Sequence, residues 1–272
     1  MAVTLVWSLL WSGAMGRRWR LAVLGVVCAA SWSCVDADSG GDAGVGVTTE
    51  EINGGKPRDD HPEIARVWLK DPASGKLGFC TATLIDRKIA ITAGHCVHLR
   101  SEDHKDDYGF LEVIKKEWNP ESRIYEMRTY RYQVTGYHNF TLGRYIPGYS
   151  TSDIALVRLA QKVPCPVAHP TRMARNPPPL GTVISRWGYG QCDDKETSRK
   201  RVIHLRRGKQ IVAICSGDSG GPTLDPNGAV FAINHGWKSA DDGGYDTVSM
   251  VGPQWSRLSE VMDKWGRGGR CD

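Results

Sequence analysis

The sequence contains no run of 18 consecutive apolar residues, so we expect no membrane-spanning helix. It has no internal repeat and no low-complexity tract after residue 52, which excludes a repeat architecture there. Aromatic residues are absent from the basic segment 199–209, so the stacking partners of a nucleic-acid site are missing. We therefore interpret that segment as a solvated loop and expect no nucleic-acid partner.

The composition is that of a globular protein. Apolar residues make up 40% and charged residues 24% of the 272 positions, which suits one large domain or two fused barrels. From residue 52 onward 32 basic residues face 25 acidic ones, a net charge of about +7. That excess permits attraction to acidic peptides or surfaces.

The N-terminus has the pattern of an export signal. Three arginines at 17, 18 and 20 precede the apolar run 21–30 and then small residues, which predicts a signal peptide over 1–33. Translation from Met15 would give a more ordinary start. Residues 34–51 are rich in Gly and Asp and predict a linker or propeptide, so we expect the globular domain to cover 52–272.

Cys34 has two interpretations. It is either the lipid-anchored residue of a cell-surface lipoprotein or an ordinary residue near a plain cleavage site. In both cases the chain is exported, to the periplasm, the cell surface or the medium. Six further cysteines beyond the linker, an even number, are consistent with disulfides in an oxidising compartment.

Short alternating runs between Gly and Pro residues predict an all-β sandwich or barrel. The predicted strands cover residues 64–69, 80–85, 89–93, 130–134, 154–159, 182–187, 211–215 and 229–233. One amphipathic helix is predicted near the end of the chain. Its apolar positions recur at helical spacing: Trp255, Leu258, Val261, Met262 and Trp265.

Two motifs carry the chemistry. Residues 215–222 read Cys-Ser-Gly-Asp-Ser-Gly-Gly-Pro, and residues 92–96 read Thr-Ala-Gly-His-Cys. A hydroxyl such as that of Ser219 is a weak nucleophile until a base such as His95 takes its proton. Both motifs resemble those of the chymotrypsin and trypsin family of serine peptidases, and the resemblance runs from residue 52 to the C-terminus. It implies the chymotrypsin-like fold, two six-stranded antiparallel barrels with a C-terminal helix.

The resemblance also implies roles for individual residues. Ser219 would be the nucleophile, His95 the general base, and Asp153, in the string Asp-Ile-Ala-Leu, the carboxylate that orients the base. The amides of Gly217 and Ser219 would form the oxyanion hole. The predicted activity is a secreted endopeptidase acting on peptides or proteins, with no metal or other cofactor.

Activation by cleavage is implied as well. In the family, an aspartate at the position of Asp218 pairs with the α-amino group of a newly exposed Ile, and Ile52 begins a matching string. We expect cleavage after Glu51, by this enzyme or by an activating protease, to order the active site.

One disulfide follows from the resemblance, Cys80 with Cys96, beside the catalytic histidine. The remaining pairs are less directly indicated. The favoured arrangement joins Cys215 to Cys192 and Cys165 to Cys271.

The predicted substrate pocket favours an apolar side chain before the scissile bond. Ala213 and Ile214 stand at its base, where trypsin-like members carry an Asp, and Gly236 and Gly243 align with its walls. Burial of an unpaired cation there would be unfavourable.

Two alternatives remain open from the sequence. His235 and Ser216 near the pocket mouth would accept an acidic side chain, and Glu51 before Ile52 would then allow self-activation. The second alternative is a non-catalytic binding module on the same fold.

Overall fold

The structure is a computed structural model that describes residues 55–70, 75–97, 109–141, 152–190, 199–209, 214–238 and 245–271. The predicted signal peptide (1–33) and linker (34–51) lie outside the described residues. So do several individual predicted positions, namely Cys34, Ile52, Cys192, Ala213 and Gly243.

Among the described residues the chain forms twelve strands and one α-helix. In chain order they are β1 Lys56–Pro57, β2 Ile64–Lys70, β3 Leu77–Asp86, β4 Ile89–Thr92, β5 Gly109–Asn119, β6 Ile124–Asn139, β7 Ala155–Leu159, β8 Val183–Gly188, β9 Arg201–Arg206, β10 Pro222–Leu224, β11 Val230–Lys238, β12 Tyr245–Met250 and α1 Trp255–Trp265.

Six consecutive strands close into an antiparallel barrel in the order β2-β3-β4-β7-β6-β5. Alternate side chains of these strands fill its interior, as the period-two pattern predicts. The buried residues there include Val67, Leu84, Leu111, Val134 and Val157.

The second sheet has the order β1-β9-β8-β10-β11-β12, and its strand pairs are also antiparallel. Strand β1 pairs with β9, Lys56 opposite Val202, so the start of the described chain belongs to this sheet. Two six-stranded antiparallel sheets and a C-terminal helix confirm the predicted fold class.

Helix α1 lies where the apolar spacing predicts it, with Leu258 and Met262 buried in the core. After the helix, the Asp86 carboxylate accepts the amides of Gly268 and Gly269. Neither α1 nor any other helical segment in the described ranges is long and apolar enough to span a membrane.

Two predicted disulfides are present, Cys80–Cys96 and Cys165–Cys271. Cys215 is disulfide-bonded too, and its predicted partner lies outside the described residues. The Cys80–Cys96 bridge ties β3 to the short 3-10 turn Gly94–Cys96 that follows β4.

The interpretation of the basic segment as a solvated loop is wrong. Most of it forms β9, and Lys200 just before the strand is only 2% exposed. Its ammonium group lies 5.9 Å from the centre of the Tyr189 ring. Burial lowers the pKa of Lys200 to about 8, although Glu63 and nearby aspartates favour the charged form. The charge is accommodated inside because acidic groups and an aromatic face surround it.

The other departures are strands that the sequence did not predict, chiefly β5 and β12, and one predicted strand whose described end is not a strand. Residues 214–215, the described part of the predicted strand 211–215, have no strand structure.

Candidate active site

His95 lies in the short turn that follows β4 of the closed barrel. All four residues of β4 are buried, and the chain then turns through Gly94–Cys96, where the Cys80–Cys96 disulfide ties the turn to β3. The His95 side chain is 23% exposed. Its backbone is therefore fixed by the barrel while one side of its ring remains accessible.

Asp153 is brought beside His95 by strand pairing. It lies two residues before β7, and β7 pairs with β4 so that Ala155 is opposite Thr92. The Asp153 Oδ2 atom is 2.6 Å from His95 Nδ1, and Oδ1 accepts the His95 backbone N–H at 2.7 Å. The carboxylate is fully buried. It thereby fixes both the ring and the backbone of His95. Nε2 is the ring nitrogen that this contact with Asp153 does not use.

Gly94 leaves room for this approach. A Cβ atom at this position would lie 2.1 Å from Thr141 Oγ1, 2.7 Å from Asn139 Oδ1 and 2.9 Å from Asp153 Oδ1. Contacts below 3.0 Å between such atoms do not occur without displacement. A larger residue would therefore have to move these side chains, including the carboxylate that contacts His95.

Ser249 is a supporting residue that the sequence analysis missed. The Ser249 Oγ atom on β12 accepts the backbone N–H of Asp153 at 3.0 Å. Because 96 positions separate the two residues, no local pattern could have shown the contact.

The Ser219 turn docks against the closed barrel. The Thr81 N–H donates to Ser219 O at 2.9 Å, and the Thr81 hydroxyl donates to Gly217 O at 2.8 Å. Gly220, at φ +83°, approaches so closely that a Cβ atom would lie 2.1 Å from Thr92 Oγ1 and 2.8 Å from Ala93 N. Ser219 is thus held near the segment that leads into His95.

Two amides in this turn remain available. The N–H groups of Asp218, Gly220 and Gly221 donate to backbone carbonyls. Those of Gly217 and Ser219 donate to no acceptor among the described residues. Gly217 has φ +95°, a left-handed conformation that glycine adopts without strain. Two uncommitted donors in one turn suit the binding of a negatively charged oxygen.

Asp218 points inward from the same turn and is fully buried. Its carboxylate accepts the amide of Gly190 at 2.6 Å and that of Cys215 at 2.9 Å. Within the described part of the chain it has no ion-pair partner. Burial raises the pKa of the Asp218 carboxyl to about 7. Ile52, its predicted partner, lies outside the described residues.

The expectation that His235 lies at the pocket mouth is wrong. Its side chain is 3% exposed, and Nε2 lies 3.4 Å from Asp153 Oδ2. Its carbonyl oxygen is 3.5 Å from Ser219 Oγ. The cause is an irregularity in β11 between Asn234 and Gly236, which leaves His235 out of the pairing with β12. A bulge of this kind redirects the side chain and breaks the alternation that sequence analysis assumes. Burial also lowers the pKa of the His235 imidazole.

The described part of the predicted pocket contains a buried ion pair. Ile214 is buried, and its N–H donates to Asp246 Oδ1 at 3.2 Å. The other oxygen of Asp246 lies 2.9 Å from Arg186 Nη1, and both side chains are buried. Ser216 is exposed, and Gly236 on β11 lies opposite Thr247. The sequence analysis missed Arg186 and Asp246, which lie on separate strands without a shared motif.

Comparisons with known proteins agree with this architecture. The model of the family described as Trypsin matches residues 52–251. No curated protein matches the chain. Among solved structures, mouse brain neuropsin, a serine protease, has 15% identity and a TM-score of 0.54, over 76% of this chain and 99% of its own. A scabies mite inactivated protease paralogue has 17% identity and a TM-score of 0.58, over 77% of this chain and 99% of its own. At these identities the two structures show a shared fold.

Proposed function

This chain belongs to the trypsin family, and from that premise we propose that it is a serine endopeptidase that cleaves peptide bonds through an acyl-enzyme. The observation that carries the proposal is the double contact of Asp153 with the ring and the backbone of His95. A carboxylate in this position holds the imidazole in the orientation that general-base catalysis needs.

In the proposed mechanism His95 Nε2 takes the proton of the Ser219 hydroxyl as its oxygen attacks the substrate carbonyl. Asp153 stabilises the imidazolium that forms, and His95 then gives the proton to the leaving amine. Water enters and hydrolyses the acyl-enzyme by the same steps in reverse order. The mechanism is that of the family; the support from this chain is the arrangement of its own residues.

The oxyanion hole would be formed by the amides of Gly217 and Ser219. Neither amide donates to an acceptor among the described residues, whereas the neighbouring amides of the turn donate to backbone carbonyls. Each such donor contributes about 3 kcal/mol to stabilisation of the transition state. The docking of Gly220 against Thr92 keeps these donors at a fixed distance from His95.

Activation would follow cleavage before Ile52. The released α-amino group would pair with Asp218, which is buried and bonded only to amides among the described residues. The described chain begins at residue 55, directly before β1, and β1 belongs to the same sheet as β10, the strand that follows the Asp218 turn. The disulfides and the predicted leader support action outside the cytoplasm, as a secreted or surface-anchored enzyme.

For specificity we propose an apolar residue before the scissile bond. The carboxylate that accepts the N–H of Ile214 is that of Asp246, which is already paired with Arg186 and therefore offers no counter-charge to a Lys or Arg substrate. The acidic alternative rested on His235, Ser216 and Glu51. The burial of His235 against Asp153 removes the first of these supports.

The test is a digest of a denatured protein mixture by the mature form, with the cut sites mapped by mass spectrometry. We expect cuts after apolar residues, and none with Ser219→Ala. An organophosphonate should label Ser219 in the wild type alone. A fold shared with an inactivated paralogue does not establish activity. Failure of labelling and of digestion together would indicate the non-catalytic binding module instead.

A further inference from the structure

Two imidazoles share one carboxylate oxygen in this site. Asp153 Oδ2 lies 2.6 Å from His95 Nδ1 and 3.4 Å from His235 Nε2. The three potential ligand atoms all lie within 4.8 Å of one another. The mechanism proposed above uses the contact with His95 and assigns no role to His235.

The surrounding structure holds this set of atoms in place. The other oxygen of Asp153 is bonded to the His95 amide, which fixes the direction of Oδ2. His235 follows Asn234, whose side-chain amide donates to Trp187 O at 2.9 Å. The His235 ring is 3% exposed, so it is confined beside Asp153. Preorganised ligands reduce the cost of binding a metal ion.

We propose that His95 Nδ1, Asp153 Oδ2 and His235 Nε2 form an inhibitory binding site for Zn²⁺. Two imidazole nitrogens and one carboxylate oxygen are a ligand set that zinc prefers, at bond lengths of about 2.0–2.2 Å. The contacts between the ligand atoms allow this geometry after small movements of the rings. Water would occupy the fourth position.

Zinc binding would stop catalysis by changing the tautomer of His95. Zn²⁺ would bind the lone pair of His95 Nδ1, and the proton that Nδ1 carried would move to Nε2. With a proton on Nε2, His95 cannot accept the proton of the Ser219 hydroxyl, so the hydroxyl keeps it. The zinc site itself rests on the geometry alone; only the inhibition rests on the proposed function.

A second grouping of donor atoms near His95 is excluded. Cys80 and Cys96 also lie close to His95, but they are bonded to each other and supply no thiolate. Substitution of His235 therefore tests the proposed site itself, because it should not change metal binding elsewhere near His95.

The test measures Zn²⁺ binding by calorimetry to the full chain carrying Ser219→Ala and no histidine tag, so the result does not depend on proteolysis. We expect one site, with affinity reduced at least about tenfold by either His235→Asn or His235→Phe in the same background. His204→Asn is the matched control, because His204 is exposed on β9 and should leave binding unchanged. Circular dichroism checks that each variant is folded.

In the active enzyme, ZnCl₂ should inhibit hydrolysis of a small ester substrate, and a chelator should restore it. Equal zinc affinity in folded His235 variants and in the parent protein would overturn the three-ligand site. Absence of zinc binding in the parent protein would overturn it as well, whereas absence of hydrolysis with zinc binding intact would count against the proposed function alone.

Discussion

Two buried aspartates, one shortly before β7 of the closed barrel and one in the turn that precedes β10, differ in the groups that contact them. Asp153 and Asp218 are both fully inaccessible to solvent, and each accepts backbone amides. Asp153 also faces imidazoles, whereas among the described residues Asp218 faces amides only. Burial raises the pKa of Asp218 to about 7. Since both carboxylates are buried, the groups that contact each one decide whether it orients a catalytic base or can bind a cation.

The largest effect should come from Asp153→Asn. The amide loses the negative charge and favours the wrong tautomer of His95, so we expect kcat to fall by about 10⁴-fold, as in the family template. Rates with a peptide substrate provide the measurement. Asp263→Asn on the exposed face of α1 is the control and should leave kcat unchanged. Retention of near-normal turnover by the folded Asp153 variant would contradict the assigned role.

Next comes Asp218→Asn in protein already cleaved before Ile52. Loss of one partner of a buried ion pair costs about 3–5 kcal/mol, so we expect activity to fall by about 100-fold or more. The same substitution in the uncleaved chain should change the low basal activity little. If the cleaved variant hydrolyses peptides at the wild-type rate, the activation proposal is wrong and the triad is unaffected.

The pH dependence of stability tests whether Asp218 lacks a cationic partner in the uncleaved chain. Folding raises the pKa of Asp218 from 3.8 to about 7, so the folded chain holds this proton more tightly than the unfolded chain. The contribution to stability is therefore fully present below about pH 4 and is lost as the pH rises to about 7. Relative to Asp218→Asn, the uncleaved wild type should lose up to about 4 kcal/mol across that range.

Urea unfolding at a series of pH values measures this difference. Cleavage before Ile52 should abolish it, since an ammonium partner lowers the pKa of the carboxyl. If the free energy of unfolding varies with pH in the same way for the uncleaved wild type and for Asp218→Asn, Asp218 is ionised in the folded chain without a cationic partner.

The smallest effect should come from Ser249→Ala. It leaves the buried N–H of Asp153 without its acceptor, which costs about 1–3 kcal/mol of stability. Turnover should fall less than about tenfold, because both contacts of the carboxylate with His95 persist. Ser249→Thr keeps the hydroxyl and serves as the control. A loss as large as that of Asp153→Asn would mean that Ser249 itself takes part in the chemistry.

Local strings of sequence, through the family resemblance that they carry, were sufficient to predict the fold class and to select His95 and Asp153, whose side chains are in contact. The His95 turn lies directly after β4, so its position follows from a short contiguous motif. Residues 154–157, directly after Asp153, form an unbroken apolar run, which indicates burial. Both signals are carried by neighbouring residues and need no long-range information.

The sequence did not predict features that depend on distant contacts. His235 was misplaced because a single irregularity in β11 reverses the alternation. Lys200 was misplaced because its acidic neighbours come from residues 59–63, far away in the chain. The Arg186–Asp246 pair joins strands β8 and β12, and neither residue belongs to a recognisable motif.

The space around Gly94 has a consequence for substitutions in this chain. A methyl group there would meet Thr141 Oγ1, Asn139 Oδ1 and Asp153 Oδ1, so Gly94→Ala would require these side chains to shift. The separation of the acid and the base in this chain is therefore sensitive to a residue that takes no part in the chemistry.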